Sequence, residues 1–158
     1  MLWIMRGIAQ PMLVNGPYIN ELSQGPSGAE EFVEIMVYGD VNCNDTCFDL
    51  RGWILDDNNG YFANGGGTGI ATGSYRFGPD PVLECVRYGT LIVIYNEFDR
   101  NVNLPPDDLD PSDGVMILPA NSILFERAGG SPSASGSPNY PTTNWLTRGS
   151  WQNTLMSN

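Results

Sequence analysis

The chain has 158 residues, enough for one domain with a real core and too few for two comfortable ones, and its 19 glycines and 12 prolines favour turns over long helices. Its 18 carboxylates face only seven basic residues, all arginine, for a formal net charge of −11 with no lysine and no histidine. That balance disfavours nucleic acid and anionic lipid, and it excludes Ser-His-Asp and Cys-His catalysis, histidine-based zinc or iron sites, and lysine Schiff bases.

No stretch reaches the roughly 20 apolar residues of a membrane helix, so no membrane span is expected. The acidity has a bland reading, solubility, and a sharper one, calcium binding. Carboxylates, arginines, tyrosines and three cysteines remain for chemistry.

Residues 1–9 are apolar, with Gly7 and Ala9 at the −3 and −1 positions of a signal-peptidase-like site before Gln10. The apolar run is short and Arg6 interrupts it, so an ordinary terminus is the competing reading. Residues 10–16 form an N-terminal extension to a domain over 17–158.

Pro17 to Leu22 reads as a first strand and Phe32 to Tyr38 as a second. In the second, Val33, Ile35 and Val37 alternate with Phe32, Glu34, Met36 and Tyr38, which gives one apolar face. The turn-forming composition of 23–28 predicts a hairpin between them.

The loop from Gly39 to Asp49 holds Cys43 and Cys47. Asn and Asp allow the intervening chain to fold back, so a Cys43–Cys47 disulfide is the favoured pairing, with Cys85 free or paired elsewhere; three thiols without histidine make a poor zinc site. Asp40, Asn42 and Asn44 match the start of an EF-hand loop, but Asp45 replaces its glycine and Arg51 its glutamate, so an EF-hand is rejected. Asp56, Asp57 and Asn58 form a second oxygen-rich stretch, and residues 107–114 a third. Each is a calcium candidate beside the plainer reading of a solvated turn.

Asp49 to Asp57 is an apolar strand interrupted by Gly52. Leu50, Trp53 and Leu55 cannot share one face under strict alternation, so an extra residue at Gly52, as in a β-bulge, is expected to restore the phase and turn Trp53 into the core.

Together, Ile19-Asn20-Glu21-Leu22, then 31–35 with Val33 and Glu34, then Leu50-Arg51-Gly52-Trp53-Ile54-Leu55-Asp56 resemble the first three strands of the lamin tail domain in secreted bacterial proteins. Gly89 to Asn96 resembles that family's next core strand, so the likeness covers about 17–125. It implies an all-β, immunoglobulin-like β-sandwich with Ile19, Glu21, Val33, Glu34, Leu50, Gly52, Trp53 and Leu55 as core or motif residues. It also implies a non-catalytic module acting in adhesion or attachment outside the cell, with a protein or glycan partner at the cell surface.

Residues 64–69 are glycine-rich but lack the lysine of a P-loop and read as a hairpin tip. Gly73 to Phe77 returns as a short strand, and Leu91 to Tyr95, apolar on both faces, suits a central strand of two packed sheets. Val115 to Leu118 is a brief strand; Ile123 to Glu126 is a strand or a helical turn. Residues 128–143 form a Gly/Ser/Pro-rich excursion.

Trp145 to Asn158 looks like entry to a further strand, so the sheet is either completed by a segment beyond this chain or open to a strand-complementing partner or self-association. Trp145 and Trp151 are candidates for gripping a glycan or for edge packing. An enzymatic role would be that of a carboxylate-dependent hydrolase using Asp56 and Asp57, or Glu21 and Glu34; adjacent Asp56 and Asp57 point to opposite faces of an extended chain, and Glu21 and Glu34 suit hydrogen bonding to strand-end amides or to Arg51. The open edge also suits a filament or repeat subunit, and the family likeness also suits an accessory domain of an extracellular hydrolase.

Overall fold

The computed structural model describes residues 14–23, 25–26, 30–40, 46–56, 74–128 and 145–148. They build an all-β domain of ten strands. Strands β1 (Gly16–Ser23), β2 (Phe32–Tyr38), β7 (Leu91–Tyr95) and β8 (Val115–Pro119) form one four-stranded sheet in the order β1-β2-β7-β8. A second four-stranded sheet runs β10 (Trp145–Thr147), β9 (Phe125–Ala128), β5 (Ser74–Phe77), β4 (Ile54–Asp56). The short pair β3 (Cys47–Phe48) and β6 (Val86–Arg87) stands apart.

The expected hairpin forms: β1 pairs antiparallel with β2, whose Val33, Ile35 and Val37 are buried in alternation. The bulge, however, is in β1. Ile19 pairs with Ile35 and Glu21 with Glu34, which leaves Asn20 as the extra residue. Its Nδ2 donates to Glu34 Oε1 at 2.5 Å. Ile19 is 61 % exposed and Leu22 56 %, so the motif isoleucine is a surface residue rather than a core one. An edge strand has only one neighbour, and the bulge turns its far half away from the alternation that a core face requires.

Strand β7 is central and apolar on both faces, as its composition suggests. Ile92 and Ile94 enter the main core with Met116 and Leu118 of β8, Phe77 of β5, Phe125 of β9, the loop residues Leu50 and Leu124, and Leu83 of the short 3-10 helix Pro81–Leu83. One apolar cluster therefore draws on both large sheets. The opposite face, Val93 and Tyr95 with Ile117, is covered by Phe32 and Leu104.

Phe32 belongs to β2, whereas Leu104 reaches this face because β8 runs parallel to β7. A parallel neighbour needs a long crossover, and residues 96–114 supply it. The crossover is tied down where Tyr95 Oη donates to Asp107 at 2.8 Å and Arg100 Nη1 donates to Asp107 at 2.5 Å, with the guanidinium 4.7 Å from the Tyr95 ring centre. Asp108 then exchanges backbone hydrogen bonds with Ile117, at 3.0 and 2.9 Å, on the far edge of β8. The acidic stretch serves its own backbone: Asp108, Asp110 and Asp113 each accept from the amide two residues on.

The cysteines correct a sequence expectation. Cys47 is bonded to Cys85, 38 residues away, with Cα atoms 5.1 Å apart. Pairing of β3 with β6 sets Cys47 opposite Arg87 and brings the residue just before β6 within bridging reach, so a partner distant in sequence displaces the expected Cys43. Cys43 itself lies outside the described residues.

Candidate functional site

An open groove of about 350 Å³ is lined by Arg51, Gly52, Arg76, Phe77, Pro79 and Glu126. Its first wall is a tight turn. Leu50 is fully buried and fixes the start, and the Trp53 amide donates back to the Leu50 carbonyl at 3.1 Å. Gly52 has φ +82, the left-handed value that the third position of a type II turn demands. The expected bulge is thus a turn before β4, and it carries Trp53 outward. Trp53 is 43 % exposed and lies edge-on against Phe48, with ring centres 5.4 Å apart, rather than in the core. Leu55 packs against the main core.

Arg51 is held in place by its neighbours. Its Nε and Nη2 donate to Asp49 at 2.9 and 2.7 Å, and Nη1 reaches Glu84 at 3.1 Å. The expected partners Glu21 and Glu34 are not used. The hydrogen bond from Arg51 holds the Asp49 carboxyl below its ordinary range, and the same bond raises Arg51.

The second wall is a cross-strand pair. Arg76 of β5 faces Glu126 of β9 in register, and its Nε and Nη2 both donate to Glu126 Oε2, at 2.8 and 2.5 Å. Glu126 is only 9 % exposed. Trp145 of β10 lies against the guanidinium, 4.1 Å from carbon to ring centre, so Trp145 supports Arg76 by a cation–π contact.

Of the six calcium candidates, Asp40 is placed with its amide donating to Asn15 Oδ1 at 3.2 Å, and Asp56 pairs by its backbone with Ser74. Asn42, Asn44, Asp57 and Asn58 lie outside the described residues, as does Trp151. Among the described residues no group of three or more carboxylate or cysteine side chains is placed to share a cation. Glu21 and Glu34 do come together, directly across β1 and β2, but Glu21 is exposed and Glu34 is engaged by Asn20.

Sequence reasoning misses the groove residues Arg76 and Glu126, although each is a charge beside a phenylalanine in a short strand, Arg76 before Phe77 and Glu126 after Phe125. Such a pattern signals a cross-strand ion pair once pairing is known. No protein-family model matches this chain, and neither curated proteins nor solved structures gave a match.

Proposed function

We propose that this chain is a non-catalytic binding or attachment module of a secreted or cell-surface protein, built on an immunoglobulin-like sandwich of the lamin tail type. The Cys47–Cys85 disulfide carries the reading, because such bonds persist in oxidising compartments outside the cytosol. The chain has no histidine and no lysine for the usual proton-transfer and nucleophilic roles. The β1–β2 hairpin, the Leu50–Trp53 turn and apolar β7 follow one another in the order that the lamin tail likeness requires, while surface-lying Ile19 and Trp53 depart from it. Loops and grooves on a rigid sheet are where such modules hold partners.

The test is retention of the fluorescently labelled domain on cell envelopes of the native host. Saturable retention supports attachment; a domain that stays in solution at every concentration removes it. Calcium binding at the oxygen-rich stretches that include Asp40 and Asp56 is an extension of this proposal, and a melting temperature unmoved by millimolar calcium after chelation counts against it.

A second reading, assembly through a strand edge, has support in β1, an edge strand with exposed Ile19 and Leu22. The bulge at Asn20 works against flat edge pairing. A monomeric sedimentation profile at high concentration would exclude this assembly.

A further inference from the structure

We propose that the groove between Arg51 and the Arg76–Glu126 pair receives one unit of a neutral, hydroxyl-rich saccharide, an inference that rests on the binding reading above. Charge excludes the more obvious anionic ligand. The two guanidiniums of the groove are contacted by three carboxylates, those of Asp49, Glu84 and Glu126, and the whole chain carries −11. An anion entering the groove meets compensated cations in a repulsive field.

Hydrogen-bonding capacity remains after that compensation. A guanidinium has five N–H donors in a planar fork. Among the described residues Arg51 commits one hydrogen each from Nε, Nη1 and Nη2, which leaves a hydrogen on each terminal nitrogen. Arg76 commits only Nε and Nη2, both to Glu126 Oε2, so Nη1 keeps both hydrogens and Oε1 keeps its lone pairs among the described residues. Donors on both walls and an acceptor on one match hydroxyl groups, which give and accept at once.

These groups are preorganised. Asp49 and Glu84 fix one fork, Trp145 and Glu126 the other, so little side-chain freedom is lost on binding. Pro79 adds an apolar surface to the lining. The volume lies at the small end of the roughly 300–1,000 Å³ typical of ligand pockets, which suits a chain end or a single ring.

The experiment titrates the full chain with soluble oligosaccharides of glucose, mannose and N-acetylglucosamine, and separately with oligogalacturonate, following the Gly52 and Phe77 amide resonances. Saturable shifts with a neutral probe, weakened about tenfold in Arg51→Ala, are expected from loss of one charge-assisted hydrogen bond. Glu126→Gln keeps the side-chain shape and is expected to weaken the same probe; Arg51→Ala, altered on a part-exposed side chain, serves alone if Glu126→Gln fails to fold. Response to oligogalacturonate only, to no probe, or equally in Arg51→Ala overturns the saccharide site. Envelope retention that survives such a result leaves the attachment reading standing, whereas loss of retention in the unaltered protein removes that reading itself.

Discussion

Gly52 and Phe77 are joined backbone to backbone: the Gly52 amide donates to the Phe77 carbonyl at 2.8 Å, and the Phe77 amide returns to Trp53 at 2.9 Å. This junction seats the Leu50–Trp53 turn on β5 and places Arg51 across the groove from Arg76. It depends on a left-handed residue. Nothing lies within 4 Å of a Cβ added at Gly52, so Gly52→Ala tests conformation alone and is expected to cost about 1 kcal/mol in denaturant unfolding.

Gly39 offers the contrasting case. A Cβ there would collide with the Tyr88 ring, whose hydroxyl accepts from Asn15 Nδ2 at 3.1 Å. Gly39→Ala is expected to cost about 1–3 kcal/mol of overpacking, more than Gly52→Ala, and to cost less when introduced into a Tyr88→Ala background than into the unaltered protein.

Thr90 is 1 % exposed and its hydroxyl has no hydrogen-bond partner among the described residues, although its backbone is bonded to Val37 and Arg87. Thr90→Val keeps the shape and removes the orphan group. Stability is expected to rise by about 1 kcal/mol, read as a higher urea midpoint at unchanged slope.

Much of the fold is legible in the sequence because its signals are local. Alternation in 32–38 and the apolar run 91–95 identify β2 and β7 directly. What is not legible depends on long-range pairing. The parallel placement of β8, the Cys47–Cys85 bond and the Arg76–Glu126 pair each join residues far apart in sequence, and one sequence carries no record of such contacts. The difference between a bulge expected at Gly52 and one found at Asn20 has another cause. A glycine breaking an apolar pattern fits a bulge or a turn equally, and only the paired strand distinguishes them.

Two pH effects of opposite sign follow from the environments of Tyr95 and Asp49. Burial, and then the hydrogen bond to Asp107, push the Tyr95 hydroxyl above its ordinary 10.0. Its contribution is therefore complete below about pH 10 and is lost as pH rises through the folded value. Tyr95→Phe should flatten that alkaline decline, read as stability against pH in denaturant unfolding. Asp49, held low by Arg51, contributes above its ordinary 3.8 and loses that contribution as pH falls through the folded value. Arg51→Ala should return the Asp49 carboxyl midpoint, followed by NMR, towards the ordinary range.

A bond closing a 38-residue span contributes about 4 kcal/mol by loop entropy, so Cys47→Ser with Cys85→Ser is expected to lower stability by that order. Mapping the same bond under non-reducing conditions, in protein recovered from the native host, decides between an exported and a cytosolic protein. Recovery from the extracellular or surface fraction with Cys47 linked to Cys85 is the predicted result; a cytosolic protein with both thiols reduced, or one with Cys43 linked to Cys47, would contradict it.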